Sequence, residues 1–425
     1  MRLRASAVAG AVGGRLVGGD IEVDGAGIDS RRIGPGQLFV PVVAERDGHD
    51  FVAAAIASGA VLYLTSRGEV APGTPRVEVA DTGAALLALG AHARGRLPDQ
   101  VVGITGSMGK TTVKDLTAAV LAVRYSTAAS ERSFNNELGV PLTLFNAPEG
   151  TEATVVEMGA RAPGHIRSLC AVARPTMGVV TLVAPVHTET FGSVEGVARA
   201  KAELVEAIPA SGVVVLNADD TRVAAMASLT PARVITYSSG GGGVGADLTA
   251  GPVATDDDLR LRFRLRSPWG QVEVHPAVRG AHHVGNVLAA AAVGLAAGLT
   301  TDEVALGLAA ARHSPWRMEL RRAPSGAVVV NDAYNANPAS VEAALRSLVS
   351  LPASRWVAVL GPMAELGPDA PAQHRRVAAF AGQLGVEVIA VDSPDYGPEP
   401  VTGVEGALAE LRSRRALEEG VAVLV

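Results

Sequence analysis

An α/β chain of several domains is what this sequence predicts, and three observations lead there. Apolar runs rich in β-branched residues alternate with helix-period segments along most of the chain, the pattern of buried parallel strands and their crossover helices. Hydrophobic residues make up 48% and charged residues 19% of the chain, ample material for packed cores. At roughly 100–200 residues per domain, a length of 425 residues gives two to four of them.

Taken in order, residues 1–98 mix short strands (GRLVGG, QLFVPVV, AVLYLT) with the Ala-rich helical segment DFVAAAIASGA. The helix-period run DTGAALLALGAHARGR then ends at Leu97-Pro98-Asp99, a linker signal. A second region, 99–313, opens with strand VVGIT, a glycine loop and a helix from about Thr111 to Val123, followed by strands ATVVEM, MGVVTLV and VVVLNA. Ser238–Ala246 reads as a glycine-rich loop, and the alternation DLRLRFRLRS as an antiparallel edge ribbon. The third region, 314–425, holds AVVVND, the helix PASVEAALRSLVS, RWVAVLG and VEVIAV, a second strand–helix alternation.

Composition excludes several classes. The charge sum of 37 basic against 43 acidic residues is −6, which supplies no global basic field for nucleic acid or an anionic membrane. The one cysteine, Cys170, excludes an internal disulfide framework and a cysteine zinc cluster. No apolar run reaches the roughly 20 residues a bilayer requires. The start MRLRASAVAG reads as the first amphipathic segment of a cytoplasmic protein rather than a signal peptide. Lysine occurs at only three positions, Lys110, Lys114 and Lys201, so arginine supplies nearly all the positive charge. A compact, deprotonatable amine is then a candidate requirement wherever lysine is kept, codon bias being the plain alternative.

Residues 103–112 read GITGSMGKTT. Between a strand and a helix, the backbone N–H groups around Gly106, Ser107 and Gly109 can close on phosphate oxygens at the positive helix end. Lys110 reaches toward β- and γ-phosphates, the Thr111 hydroxyl suits Mg²⁺, and Thr112 completes the loop. The strict eight-residue P-loop spacing is not met, but the shorter T-G-x-x-G-K-T is.

Ligands of open α/β sheets gather beyond the carboxyl ends of strands. Glu157 closes ATVVEM and would be a hard oxygen ligand for Mg²⁺, unless it is a cap or solvated acid. His187 follows MGVVTLVAPV, where a lone histidine is more often a loop residue. The pair Asp219-Asp220 is as readily a turn as a ligand and receives no role. Lys201 sits on the helical segment EGVARAKAELVEAI, normally a solvated position. Only a neutral primary amine captures CO₂, so carbamylation of Lys201 would create an anionic metal ligand beside His187.

The motifs TGSMGKTT, SFNNELGVPLTL, VVEMGA, the His187–Lys201 pair, GAHHVGN, WRMEL, NDAYNANP and LGPMAELG occur in that order. Together with IDSRRIGPGQLFV and ERDGHDF near the start, they make the chain resemble the Mur ligases over nearly its whole length. The resemblance implies a cytoplasmic enzyme of cell-wall synthesis with three α/β domains. The first is a small UDP-binding domain, the second a P-loop ATPase domain with a mostly parallel sheet, and the third Rossmann-like. In the branch it matches best, ATP phosphorylates the terminal carboxylate of a UDP-N-acetylmuramoyl-tripeptide. The amine of D-alanyl-D-alanine then attacks the acyl phosphate. Two Mg²⁺ ions are implied, the first at Thr111 and Glu157 and the second at His187 and a carbamylated Lys201. Asn136 corresponds to an asparagine near the γ-phosphate, with Asn135 a competitor. Asn286 matches an adenine contact, Arg317 a hinge arginine reaching ATP, and Asp332, Tyr334, Asn335 and Asn337 a loop meeting nucleotide and dipeptide. Ser30 and Arg31, with Asp47 and His49 in the turn 47–50, match the uridine end.

Further expectations are a monomer acting on small-molecule substrates, without nucleic acid and without membrane insertion. Two departures from the family pattern stand out: His283 in place of asparagine, and Pro362 in place of an acidic residue. The chain also stops at VAVLV, where the family continues into a basic segment and a closing helix. A C-terminal strand lacking that cover, with weaker closure and lower stability, is therefore expected. Other readings keep the fold and change the amine, or make the chain a catalytically impaired nucleotide-binding relative. The first is disfavoured by NDAYNANP and the second by the joint presence of Lys110, Glu157, His187 and Lys201. A hydroxyl kinase finds no catalytic loop.

Overall fold

The computed structural model describes all residues except Arg132, 186–187, 241–244 and Pro398. Among the described residues, three larger sheets follow one another along the chain. The first, of five strands, runs in the order Arg15–Val17, Arg76–Glu78, Leu62–Thr65, Leu38–Phe39, Ala26–Gly27. A two-stranded ribbon pairs Arg2–Arg4 with Glu22–Asp24. In Leu62–Thr65 all four residues are buried, so this strand is covered on both faces.

The central sheet has ten strands, with Val101–Thr105 flanked by Ala153–Glu157 and Met177–Val180, all parallel. Val213–Asn217, Arg233–Ser238 and Leu248–Ala250 continue one side in parallel, and Thr127–Ala129 closes the other. Leu261–Ser267 then adds antiparallel, hairpinned to Gly270–Val274, the ribbon the alternating arginines predict. Its leucines and phenylalanine are buried and its arginines exposed.

Helices Lys110–Leu121, Val284–Ala296 and Thr301–Ala310 cover one face of this sheet, burying Val102, Ile104 and Val179. The other face, with Val101, Val156 and Val180, packs against helices Gly139–Phe145, His165–Ala173 and Val194–Ala207. Helix Thr82–Arg94 joins that second layer, in the same core. A Cβ on Gly90 would lie 2.4 Å from Pro141 Cβ, so only glycine permits this crossing. Buried Arg94 ties the helix down, donating to Ala173 O at 2.8 Å and to Asp99 at 3.1 Å. The glycine loop at 238–246 falls partly outside the described residues.

The third sheet runs Glu319–Arg322, Val328–Asn331, Val421–Leu424, Arg355–Leu360, Val386–Ala390; all its pairings are parallel except the first. The junction to it, residues 314–318, carries Trp316 at φ 61° and Met318 at φ 49°, left-handed conformations that are uncommon for bulky residues.

Candidate functional site

Strand Val101–Thr105 runs into loop 106–109 and helix Lys110–Leu121. Gly106 has φ 144°, and a Cβ there would lie 1.9 Å from Thr181 Oγ1 on the neighbouring strand's extension. Gly109 has φ 80°, and its Cβ would lie 2.5 Å from Asn286 Oδ1. Both glycines are thus required by close approach as well as by backbone angle. The loop is pinned to the adjacent strand end: the Ser107 N–H donates to Leu182 O at 2.8 Å and the Thr181 hydroxyl to Met108 O at 2.5 Å. Lys110 Nζ folds over the loop and donates to Gly106 O at 2.7 Å. Desolvation lowers its pKa, while Glu157 and Glu365 pull the other way.

Glu157 ends its strand in register with Ile104, one residue before the carboxyl end of Val101–Thr105. It is buried, accepting from the Thr111 hydroxyl at 2.8 Å and from Asn135 Nδ2 at 2.8 Å. The Asn136 side chain turns elsewhere: its Oδ1 accepts from Leu138 N at 3.2 Å and Gly139 N at 3.0 Å, just before helix Gly139–Phe145. Both asparagines line the same cavity, but it is Asn135 that contacts the acid.

Lys201 is 2% exposed on helix Val194–Ala207 and lines this cavity. Burial, then repulsion from Lys110, pushes its pKa down to about 7. His187 lies outside the described residues. Among the described residues no three His, Cys, Asp or Glu side chains converge as a metal centre. Asp219 and Asp220 serve as turn and cap, with Asp220 accepting from Arg222 N at 2.9 Å and Val183 N at 2.7 Å.

The opposite wall comes from the third sheet's loops. The Arg317 guanidinium lies 4.2 Å over the Tyr334 ring and donates to Thr111 Oγ1 at 3.4 Å. Its Nε is buried with no partner among the described residues. Tyr334 contacts Ser133 across the cavity. Asp332 accepts from Met318 N at 3.0 Å, and burial raises its pKa to about 6 against that hydrogen bond and the nearby Arg317. Asn337 Oδ1 caps helix Pro338–Leu348 through Ser340 N at 3.0 Å, whereas Asn335 lines the cavity without such a role. Asn286, at the start of helix Val284–Ala296, bonds His283 Nδ1 at 2.9 Å.

The cavity is an open cleft of about 1020 Å³, enough for a nucleotide and part of a second substrate. It brings together Gly106, Ser107, Gly109, Lys110, Thr111 and Thr112 with Glu157, Lys201, Asn286, Arg317, Asp332, Tyr334, Asn335 and Asn337. Ser30, Arg31, Asp47 and His49 do not line it. Arg31 forks onto Asp29 at 2.9 and 2.8 Å. His49 is 1% exposed; its Nδ1 donates to Asp47 at 2.6 Å and its Nε2 accepts from Ser66 N at 3.1 Å. Both ring nitrogens are therefore occupied, one by Asp47 within the turn and one by Ser66 N on a neighbouring segment.

Two residues carried no such expectation in sequence. Lys114 is buried, donates to Ser130 O at 2.9 Å and pairs with Asp115 at 2.8 Å, and Ser130 Oγ in turn accepts from Glu157 N at 3.2 Å. Glu365 reaches the cavity from the loop after strand Arg355–Leu360. Its signal in sequence is an acid within the motif LGPMAELG, quoted above only as part of the resemblance.

Comparison with known proteins gives two family matches, the Mur ligase middle domain over residues 104–294 and the Mur ligase, glutamate ligase domain over 316–420. A UDP-N-acetylmuramoyl-tripeptide–D-alanyl-D-alanine ligase of Mycobacterium tuberculosis is 43% identical over 408 residues, covering 89% of this chain and 78% of the relative. The Escherichia coli ligase of the same name is 35% identical over 393 residues, with 92% and 86% covered. Among solved structures, MurF from Acinetobacter baumannii superposes with a TM-score of 0.87 at 25% identity, over 100% of this chain and 96% of that one. The fold is likewise that of MurF from Thermotoga maritima in complex with ADP, at a TM-score of 0.79 and 24% identity, with 95% and 93% covered.

Proposed function

Because the chain belongs to the Mur ligase family and is an ATP-dependent ligase of peptidoglycan synthesis, we propose that it joins D-alanyl-D-alanine to a UDP-N-acetylmuramoyl-tripeptide. The observation that carries this reading is the single cavity in which Lys110, Thr111 and Glu157 on the central sheet face Asp332–Asn337 on the third. One wall is suited to phosphate and metal, the other to an incoming amine.

A carboxylate is a poor electrophile, so the chemistry requires one of its oxygens to become a leaving group. Bound ATP supplies the phosphoryl group for that, and Mg²⁺ ions would screen the approach of two anions. The chain's own residues fit these partners: Glu157 is a buried hard-oxygen donor 2.8 Å from the Thr111 hydroxyl, and the chain's one cysteine, Cys170, does not line the cavity. Thr111 and Glu157 would hold one ion, and His187 with a carbamylated Lys201 the other. Enclosure and a pKa near 7 keep a fraction of Lys201 neutral at physiological pH, the form that captures CO₂. Lys110 and the amides of 106–112 would hold phosphate oxygens, Asn286 the base, and Arg317 and Asp332 the rest of the nucleotide. Asn136, with Asn135, would stand near the transferred group, and Tyr334, Asn335 and Asn337 would meet the dipeptide. Ser30, Arg31, Asp47 and the His49 turn would serve the uridine end.

In this reading the chain divides at 98 and 313 into uridine-binding, ATP-binding and Rossmann-like domains. It works as a cytoplasmic monomer on small molecules, and no described helix is long and apolar enough to cross a membrane. The test is phosphate release from ATP with the UDP-tripeptide, with and without D-alanyl-D-alanine. Release that needs both supports the proposal; release that needs glutamate or a diamino acid instead replaces it with another Mur-type reaction.

A further inference from the structure

We propose that Arg161, presented by a turn that buried Glu203 holds, receives a carboxylate of the substrate peptide other than the one that reacts. This rests on the reaction proposed above and deepens it by naming what one stretch of the cavity recognises. An Acinetobacter baumannii ligase of this fold is named for the peptide alanyl-D-glutamyl-2,6-diaminopimelate. The glutamyl residue of such a peptide keeps one carboxylate that no peptide bond uses, one residue back from the end. At neutral pH that group is an anion, and an arginine fork holds a carboxylate while remaining fully protonated.

Arg161 stands four residues after Glu157 and lines the same cavity. At roughly 3.3–3.6 Å per residue, its backbone lies within about 14 Å of that acid. The segment between them is fixed: the Gly159 N–H donates to Asn135 O at 2.7 Å, and Asn135 Nδ2 donates to Glu157 at 2.8 Å. The far side of the turn is held by Glu203, 6% exposed on helix Val194–Ala207 and two positions after Lys201. Its carboxylate oxygens accept from Gly164 N at 2.6 Å and from Arg167 N at 2.9 Å. The turn is thus tied at one end to the strand that carries Glu157 and at the other to the helix that carries Lys201. Glu203 is a positioning residue and touches no substrate.

Arg161 is exposed, and its guanidinium has no hydrogen bond or ion pair among the described residues. By contrast, Lys110 donates to Gly106 O and the Arg317 guanidinium lies over Tyr334. Leu169, on the helix that follows the turn, lines the cavity together with Ile28 and Leu87 from the amino-terminal region. Ile28 also lines a second, smaller cavity of about 330 Å³ beside Asp29 and Arg32. The cleft therefore continues from the phosphate loop toward the region proposed for uridine. A substrate anchored at that end brings its peptide past Arg161 before its terminal acid reaches Lys110.

The experiment is calorimetric binding to the full-length protein loaded with Mg²⁺ and a non-hydrolysable ATP analogue. Two probes are compared: the UDP-N-acetylmuramoyl-tripeptide with the peptide above, and the same molecule with its glutamyl carboxylate converted to a carboxamide. UDP alone is a third titrant. The wild type should prefer the carboxylate probe by about tenfold or more, the range of a charged hydrogen bond. Arg161→Gln, at an exposed position, should erase that preference and leave affinity for the carboxamide probe, UDP and the ATP analogue unchanged. Arg161→Lys, which keeps the charge without the fork, should retain part of it. Glu203→Gln should lower the preference and add nothing to Arg161→Gln in the double variant. Arg167→Gln, whose guanidinium pairs with Glu206 at 3.1 Å, should keep the preference in full. A wild type that binds both probes equally, or an Arg161→Gln variant that still prefers the carboxylate or weakens both probes alike, overturns the assignment. Loss of UDP or ATP-analogue affinity in Arg161→Gln gives the guanidinium to a phosphate and overturns it as well. If wild-type phosphate release still requires tripeptide and dipeptide in those cases, only this assignment falls. A wild type that binds neither probe ends both readings.

Discussion

Asp332 is a carboxyl group placed where its charge is unwelcome, and replacing it tests that directly. Burial raises its pKa to about 6 in the folded chain, against about 3.9 for an unfolded aspartate. Between those values the native state binds more protons than the unfolded one, so stability falls as pH rises. The full penalty at pH 7.5 is about 3 kcal/mol from that difference, and about half of it is already present at pH 5. Asp332→Asn keeps an oxygen for the Met318 N–H, held at 3.0 Å, and removes the charge. The ligand-free variant should therefore unfold at higher urea than the wild type at pH 7.5, and the gap should shrink by about 1–1.5 kcal/mol at pH 5. On the proposed assignment of Asp332 to the nucleotide, nucleotide affinity should fall in the same variant. A stability gap that is absent at pH 7.5, or that widens toward pH 5, would refute the reasoning.

Other outcomes follow from the same geometry. Gly106→Ala should abolish nucleotide binding, measured by fluorescent ATP titration, because its Cβ would stand 1.9 Å from Thr181 Oγ1 and 3.2 Å from Leu182 N. Gly109→Ala should be milder, since the atom it meets, Asn286 Oδ1, ends a side chain that can turn away; equal losses would contradict this. Turnover in CO₂-depleted buffer should drop and return with bicarbonate, more readily as pH rises through about 7, where Lys201 becomes neutral; Lys201→Arg should be inactive in either buffer. Lys114→Met should lower the urea-derived stability by about 2–4 kcal/mol, since it strips a buried ammonium from Asp115 and Ser130; a loss below about 0.5 kcal/mol would place the side chain among ordinary surface positions.

How much of this could be read beforehand differs from element to element. The phosphate loop is legible because strand, glycines, Lys110, Thr111 and helix are neighbours in sequence, and a local motif records local geometry. Glu157 is legible for a related reason: an acid closing a buried apolar run falls at a sheet's carboxyl edge. The division of labour between Asn135 and Asn136 is not, because adjacent residues of one type differ only in which way the folded loop turns them. Lys114 stands out in sequence only as one of three lysines, because the carbonyl it holds, Ser130 O, lies sixteen residues away. The turn at Asp47 and His49 stands out in sequence, yet the partner that occupies the imidazole, Ser66 N, is seventeen residues away. Buried His374 shows no pattern at all, for the donor its Nε2 accepts from, Met363 N at 2.8 Å, is a backbone amide eleven residues earlier.

The crossing at Gly90 has a mechanical consequence. With Pro141 seated against it and Arg94 anchored to Ala173, the amino-terminal region shares one core with the nucleotide-binding sheet. The route to the third sheet, by contrast, is a short neck around Trp316 and Met318 whose backbone already sits in an uncommon well. Arg317, Asp332 and Tyr334 thus stand on one side of that neck and Lys110, Glu157 and Lys201 on the other, so the cavity's two walls belong to separately cored parts of the chain.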